Sequence, residues 1–272
     1  MRRGRLLIAL AVAAIGLFTY WSSREENPIT GEMQAIALSP EQEIVLGLQS
    51  APEMAAEFGG LDPDESIQAD LREIGNKLVQ NSAASGTPYQ FRFAVLADPQ
   101  TVNAFALPGG PVFITRALLD RLENEAQLAG VLGHEIGHVI GRHSSEQIAK
   151  SQLAQSLVTA VGVAGADAGG GQGAAQMAQM VAQMVQMKYG RGDELQSDQL
   201  GIRSMAQSGY DPRAMIRVME ILAEASGGSR QPEFMSSHPD PGNRVQLIEA
   251  EIAKLYPNGV PPELTLGRPV QL

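Results

Sequence analysis

The chain has 272 residues, of which 44% are hydrophobic and 18% charged, and its formal net charge is −10. This composition is typical of a globular protein with a substantial core and excludes an intrinsically disordered chain. The acidic charge argues against a nucleic-acid partner, because there is no basic field to neutralise phosphates. Cysteine is absent, which excludes a disulfide framework, a thiolate metal site and a cysteine nucleophile.

The N-terminus predicts an export signal or a membrane anchor over residues 1–23. Three arginines, at positions 2, 3 and 5, precede an uncharged run from Leu6 to Tyr20. The arginines keep the N-terminus cytoplasmic in both cases, so the rest of the chain is expected to be exported. The run ends in bulky residues, Phe18 to Trp21, and not in a small-x-small cleavage site. This favours an uncleaved signal anchor over a cleaved signal peptide.

Residues 24–38 are polar and turn-rich and predict a linker, and residues 39–272 predict a single catalytic domain. Ser39 and Pro40 are typical of a helix start, with Ser39 as the N-cap and Pro40 in the first turn. A second helix is expected over about 63–80, where apolar residues recur on one face.

Residues 89–115 predict the sheet of the protein, with strands at 89–96, 102–107 and 112–115. The segments after it favour helices. These helices are expected at roughly 116–121, 124–143, 145–163, 173–188, 192–208, 212–225 and 241–255.

Residues 145–188 predict a helical hairpin that turns at Gly169–Gly171 and lies near the site entrance. Four methionines in it are spaced as one stripe of a helix, and they are Met177, Met180, Met184 and Met187. Core packing is one interpretation of this stripe. An adaptable surface for polypeptides or membrane is the other.

The chemistry is concentrated in an H-E-x-x-H motif, His134-Glu135-Ile136-Gly137-His138, inside an apolar-periodic helix. Residues four apart on a helix are offset by about 40°, so both imidazoles project from one face and can share a metal ion. Glu135 points to one side of that pair, where it can hold a water at the metal. The motif therefore predicts metal-dependent hydrolysis.

A catalytic zinc site needs a third protein ligand and an open fourth position. His143 is disfavoured, because five residues beyond His138 it would point about 140° away around the helix. We expect it at a helix end, near free carbonyls. His238 lies in a predicted loop and stays possible. Glu194 and Asp198, four apart on a predicted helix, are the better pair, with one as ligand and the other accepting a histidine N–H.

Four ordered segments give the chain a specific resemblance. It is similar to the zinc metallopeptidase family that includes CAAX prenyl endoproteases, HtpX and Oma1, and most similar to the soluble periplasmic BepA-like members. The matching segments are Asn27–Gly31 with Leu38–Glu43; Asn103–Gly110; the motif helix through Arg142-His143 with Glu194–Asp198; and Ser237-His238-Pro239 with Arg244.

Two features depart from the family pattern. Ser197 stands where the family usually has alanine before the aspartate. The chain also has neither a lipobox cysteine nor a TPR segment, so we expect its anchoring and its capture of polypeptides to differ.

The resemblance implies that His134, His138 and Glu194 ligate one Zn²⁺ per chain and that Glu135 is the general base and then the acid. It also implies that Asp198 orients a ligating histidine. The fold expected from it is α+β, a mostly helical zincin-like domain with a small β-sheet beside the motif helix.

Two further elements are assigned by the resemblance. His238 is expected near the zinc as a catalytic residue that stabilises the oxyanion, or as a latch in the open zinc position; otherwise it fixes the loop together with Arg244. The strand containing Asn103, Ala104, Phe105 and Ala106 is expected to bind an extended substrate backbone.

The expected function is that of a zinc metalloendopeptidase of the bacterial cell envelope, anchored in the inner membrane or secreted into the periplasm. Its expected substrates are misfolded or damaged exported and membrane proteins. The alternative is an envelope assembly chaperone with a peptidase fold and latched or secondary proteolysis. A zinc hydrolase of a non-peptide bond is disfavoured by the predicted peptide-binding strand, and the oligomeric state stays open.

Overall fold

The structure, a computed structural model, describes residues 2–165, 189–226, 233–238 and 242–270. The predicted glycine turn and methionine stripe fall within 166–188 and lie outside the described residues. The helices are α1 (Arg2–Ser22), α2 (Pro40–Glu57), α3 (Glu65–Gln80), α4 (Arg116–Leu119), α5 (Glu125–Ile140), α6 (His143–Gly165), α7 (Arg191–Gln207), α8 (Ala214–Ser226), α9 (Glu233–Ser237) and α10 (Arg244–Leu255). The strands are β1 (Arg24–Glu26), β2 (Met33–Ala35), β3 (Arg92–Leu96), β4 (Ala104–Ala106) and β5 (Pro111–Thr115).

The fold is organised around α5, which carries the H-E-x-x-H motif. Asn124 caps this helix by accepting a hydrogen bond from the backbone of Gln127. Every residue from Ala126 to Ile140 is buried. A helix that is buried on all sides forms the centre of a domain, and here α3, α7, α8 and β4 pack around it.

The sheet lies against α5 and has the order β3-β5-β4. β3 and β5 are parallel, whereas β4 pairs with β5 in antiparallel register, with Phe105 opposite Phe113. β4 is therefore an edge strand of this sheet. This arrangement confirms the expected α+β class, in which a small sheet accompanies a mostly helical domain.

The N-terminal segment 24–38, predicted as a linker, contains the antiparallel pair β1–β2. Two buried amides attach it to the end of α5: Asn27 donates to the carbonyl of Ile140 at 3.0 Å, and Gln34 donates to that of Gly141 at 2.8 Å. α2 then begins as predicted, with Ser39 as the N-cap.

The predicted helix 124–143 is wrong at its C-terminal end, because α5 stops at Ile140. Arg142 adopts a left-handed conformation with φ of 58°, and a new helix, α6, starts at His143. The Arg142 guanidinium is held by the Leu38 carbonyl at 2.6 Å and by Glu43 at 3.2 Å. These contacts from distant residues stabilise the unusual backbone that turns the chain.

The C-terminal tail closes the other end of α5. The backbone N–H groups of Glu125 and Ala126 donate to the carbonyls of Arg268 and Leu266, each at 2.9 Å. These are first-turn donors that have no partner within the helix. The tail therefore caps the motif helix from outside.

Candidate metal centre

The site forms where α5 and α7 approach closely. A Cβ at Gly137 would lie 2.9 Å from the Ser197 carbonyl oxygen, and one at Gly201 would lie 3.0 Å from the backbone nitrogen of His134. Side chains at either position would push the helices apart. Glycine at these two positions therefore allows the carboxylates of α7 to reach the histidines of α5.

Three side chains converge in this contact. The Nε2 atoms of His134 and His138 lie 3.0 Å apart. The Glu194 carboxylate lies 3.5 Å from each of them, through Oε2 towards His134 and Oε1 towards His138. All three residues are buried.

These separations fit a metal ion. Zinc binds imidazole nitrogen and carboxylate oxygen at about 2.0–2.1 Å, and a tetrahedron of that size has edges of about 3.3 Å. The ligand atoms of His134, His138, Glu194 and His238 all lie within 4.8 Å of one another. The donor set, two imidazoles and a carboxylate with a third imidazole nearby, is therefore one that holds a metal ion.

His134 is supported by charged groups. Its Nδ1 lies 2.9 Å from Asp198, which in turn accepts two hydrogen bonds of 2.8 Å from Arg244. Arg244 also pairs with Glu194 at 3.1 Å. Burial lowers the pKa of His134, but its hydrogen bonds with Asp198 and Glu194 outweigh this and raise the pKa to about 9. Orientation of a ligating histidine by a carboxylate is common in metal sites.

His138 is supported by neutral groups. Its Nδ1 lies 2.9 Å from Nδ1 of His143, whose Nε2 lies 2.8 Å from the amide oxygen of Gln196. If His143 donates to Gln196, its Nδ1 accepts the proton of His138, and Nε2 of His138 keeps a free lone pair. Burial and the nearby His134 lower the pKa of His138 well below its usual value, which favours the neutral, ligating form.

The prediction that His143 contacts free helix carbonyls is wrong. The prediction assumed a continuous helix, on which His143 would point about 140° away from His138. Because α5 ends at Ile140 and the chain turns at Arg142, His143 returns to the motif face. It contacts His138 and, at 3.3 Å, the hydroxyl of Ser197.

Glu135 and His238 lie together beside the ligands. His238 Nδ1 is 3.2 Å from Nε2 of His134 and 3.0 Å from Glu194, while its Nε2 is 3.6 Å from Oε1 of Glu135. That Glu135 oxygen is buried without a hydrogen-bond partner among the described residues. Burial raises the pKa of the Glu135 carboxyl. The His238 ring stacks on Phe234 at 4.4 Å between ring centres.

The predicted substrate strand occupies the edge position β4. The amide oxygen of Asn103 is buried and has no hydrogen-bond partner among the described residues. Ala104 is fully buried. The Phe105 ring packs against Phe58 and Phe113, so its side chain belongs to the core. Ala106, partly exposed, ends the strand.

Three residues of the site were not predicted from the sequence as site residues. His143 and Gln196 form the neutral support of His138, and Tyr189 stacks on the His138 ring at 4.0 Å. Had the motif helix been predicted to end before Gly141, His143 would have been placed near the site. Tyr189 follows the glycine- and methionine-rich segment, and no spacing in the sequence signals its role.

The comparisons with known proteins agree with this geometry. Residues 65–252 match the model of peptidase family M48. The chain is 33% identical over 237 residues to the beta-barrel assembly-enhancing protease of Yersinia pestis, covering 85% of this chain and 48% of the relative. It is 30% identical over 249 residues to the Escherichia coli K12 protein of the same name, with 88% and 50% covered.

A mitochondrial relative is more distant. The chain is 25% identical over 263 residues to the human metalloendopeptidase OMA1, covering 92% of this chain and 50% of the relative. The chain thus spans about half the length of the curated relatives it matches. The match over 65–252 confirms the resemblance stated above, to a family of peptidases. The chain belongs to peptidase family M48.

Proposed function

We propose that the protein is a zinc-dependent endopeptidase of the bacterial cell envelope that degrades misfolded or damaged exported and membrane proteins. One observation carries the proposal: His134, His138 and Glu194 converge with ligand spacing, and Glu135 lies buried beside them. The names of the relatives, a beta-barrel assembly-enhancing protease and a metalloendopeptidase, support a location in the envelope and a peptide bond as the bond that is cleaved.

His134, His138 and Glu194 would hold one zinc ion per chain. Their nitrogen and oxygen donors suit zinc, and three protein ligands with a vacant fourth position are typical of a catalytic site. When bound, the ion supplies Lewis acidity to the scissile carbonyl and lowers the pKa of a coordinated water. Asp198 and His143 orient the two imidazoles so that each Nε2 faces the same point.

Glu135 would carry the proton. Its Oε1 has no hydrogen-bond partner among the described residues, so it is available to accept a proton from the attacking water. The same oxygen then delivers that proton to the leaving amine, which is general base followed by general acid catalysis. Exclusion of solvent around Glu135 keeps the proton from exchanging with bulk water during the step.

His238 would control access to the fourth position. In this conformation its Nδ1 lies within 3.2 Å of His134 and 3.0 Å of Glu194. An imidazole there would compete with water and substrate, so the His238 side chain would have to turn away before cleavage. After that movement the same ring is placed to donate a hydrogen bond to the oxyanion of the tetrahedral intermediate.

The backbone of β4 would bind the substrate as an added strand. Edge strands accept extended peptides through main-chain hydrogen bonds, which selects for unfolded segments over particular side chains. The Asn103 amide oxygen, buried and without a hydrogen-bond partner among the described residues, would pair with a substrate N–H only after the site opens. The candidate span in α1, Gly4–Ser22, would attach the enzyme to the inner membrane with the domain in the periplasm.

A second function is favoured by the position of His238. Because His238 Nδ1 lies close to both His134 and Glu194, its imidazole would occupy the fourth position of a bound ion. Proteolysis would then be latched, and the protein would act as an assembly chaperone with a peptidase fold. This alternative predicts binding of unfolded polypeptides with little cleavage until the His238 side chain moves away from the ligand atoms.

The test uses the full-length chain in detergent. Bound metal is measured by elemental analysis, and casein cleavage is assayed with and without a chelator. We expect one zinc per chain, cleavage that the chelator abolishes, loss of zinc in Glu194→Ala, and loss of cleavage with zinc retained in Glu135→Gln. Glu65→Gln, an exposed residue, is the control and should match the unaltered protein. A folded protein without zinc would contradict the proposal.

His238→Ala separates the two functions. If the ring acts as a latch, the variant cleaves casein faster than the unaltered protein; if it serves the oxyanion, cleavage falls. Strong polypeptide binding with cleavage appearing only in His238→Ala would favour the chaperone. Unchanged cleavage together with unchanged stability would contradict both roles of His238.

A further inference from the structure

α1 packs along α6 in a way that is unusual for a water-soluble protein. The buried face of α1 consists of small residues, among them Ala9 and Gly16. Its exposed face carries large apolar side chains, with Leu7 68%, Ile15 65% and Phe18 73% exposed. A soluble amphipathic helix shows the opposite distribution, with large apolar residues turned inward.

The matching face of α6 is mostly small, with Leu153 as its one large residue near Gly16. Ala149 and Ala160 are buried, and a Cβ added to Gly16 would lie 2.6 Å from the Cβ of Ser156. Helices that associate in lipid use small residues in this way, because close backbone approach replaces the hydrophobic effect as the source of contact energy. The outer face of α6 exposes Val158 by 65%.

The two helices run in opposite directions. Gly16 meets Ser156, whereas Tyr20 lies close enough to Lys150 to act on its charge. Residue numbers therefore rise along α6 in the direction in which they fall along α1, so the two helices are antiparallel. α6 leads away from the metal centre and towards the N-terminal, arginine-rich end of α1.

The charge pattern of α6 fits an apolar environment. After Lys150 no charged residue occurs until Asp167. The part of this run that lies in α6, residues 151–165, corresponds to about 22 Å of helix at 1.5 Å per residue, most of a bilayer core of about 30 Å. Several glutamines and serines lower its hydropathy, which is why α1 alone of the described helices passes as a span by composition.

The uncharged parts of α1 and α6 end at the same height along the helix pair. Tyr20 and Trp21 end the apolar run of α1, and the Arg24 guanidinium lies 5.3 Å over the Trp21 ring. Lys150, near Tyr20, directly precedes the uncharged run of α6. Aromatic rings with basic side chains at one level are typical of the boundary between a bilayer and water.

We propose that α6 enters the same bilayer as α1, so that the two helices form a membrane-embedded antiparallel pair and the metal centre lies at the membrane surface. This inference rests on the part of the proposed function in which α1 is an uncleaved anchor. His143, which contacts His138, is the first residue of α6 and lies only about 10 Å along the helix axis from Lys150. The substrates that such a site reaches are segments of polypeptide next to the bilayer.

The absence of cysteine makes the test direct. Single-cysteine variants Val158→Cys, Phe18→Cys and Asn76→Cys carry a nitroxide spin label in the full-length protein, reconstituted in phosphatidylethanolamine–phosphatidylglycerol vesicles. Collisions of each label with oxygen, which enters lipid, and with a water-soluble nickel complex are measured. Asn76, exposed on α3, is the aqueous control.

We expect the label at position 158 to behave like the one at 18, with frequent collisions with oxygen and few with nickel. Nickel access at position 158 with lipid access at 18 would overturn the embedded pair while leaving the anchor intact. Shielding of position 158 from both reagents would mean that protein covers this face, which also overturns the proposal.

Two measurements keep this result separate from the proposed function. Casein cleavage by each labelled variant reports the peptidase independently of the membrane. N-terminal sequencing of the mature protein shows whether α1 is retained. Cleavage-competent protein that lacks α1 would overturn the embedded pair and the anchor, and the peptidase assignment would stand.

Discussion

The two histidines of the motif differ in what supports them. His134 is hydrogen-bonded to Asp198, a carboxylate that accepts hydrogen bonds from Arg244. His138 is hydrogen-bonded to His143, an imidazole that contacts the amide oxygen of Gln196. The first support carries formal charge and comes from α7 and α10, whereas the second is neutral and comes from α6 and α7.

This difference shows how one motif provides two unequal imidazoles. Hydrogen bonds with Asp198 and Glu194 raise the pKa of His134 to about 9 against the effect of burial, while the pKa of His138 is lowered by burial and by His134. His134 is thus the more basic donor. The buried charges around His134, however, stabilise one another. Removing one member of this charged support should therefore destabilise the protein more than removing one member of the neutral support.

The largest effect is expected for Arg244→Ala. Removing one member of a buried ion pair leaves Asp198 and Glu194 without their cation and costs about 3–5 kcal/mol of folding free energy. Arg72→Ala breaks an exposed pair with Glu65 and should cost at most about 1 kcal/mol. Urea unfolding of the metal-free proteins measures both, and equal losses would show that the charged support contributes nothing special.

A smaller effect is expected for His143→Ala. Loss of a residue that orients a metal-binding histidine lowers metal affinity about 10–100-fold. His143→Gln supplies an amide oxygen that can accept the His138 proton, so it should recover much of this affinity. Competition with a chelator gives the zinc affinity of each variant. Equal weakening in both would mean that His143 only fills space.

The smallest effect is expected for Ser197→Ala, which restores the residue usual in the family. The Ser197 hydroxyl is 3.3 Å from His143, a weak contact beside the 2.9 Å contact between the two imidazoles. Its loss should cost no more than about 0.5–1.5 kcal/mol, and zinc affinity should fall less than tenfold. If Ser197→Ala weakens zinc binding as strongly as His143→Ala, the hydroxyl is an essential part of the neutral support.

Local patterns in the sequence predicted the parts of the molecule that depend on neighbouring residues. The start of α2 follows from Ser39 and Pro40, and the shared face of His134 and His138 follows from helix geometry alone. The pairing of Glu194 with Asp198 at a spacing of four placed the acidic side of the site on one helix. These inferences needed no knowledge of the tertiary structure.

Other parts depend on contacts between distant residues. α5 ends early because Arg142 binds Leu38 and Glu43, which are about a hundred positions away in the sequence. The strands β1 and β2 are short and polar, and they are positioned by buried amides that contact the end of α5. Helical periodicity contains no information about either effect, so His143 was misplaced with them.

The capping of α5 by the C-terminal tail has a consequence for the order of assembly. The Arg268 side chain binds Glu125 across 143 positions of sequence, and Arg244 reaches His134 across 110. Contacts of such high sequence separation close large loops and form late in folding. A chain that extends only through Gln207 already contains His134, His138, Glu194 and Asp198, yet it lacks Arg244 and the tail that caps the motif helix. The residues of the candidate metal centre are therefore fully supported only after the segments containing Arg244 and Arg268 have joined the fold.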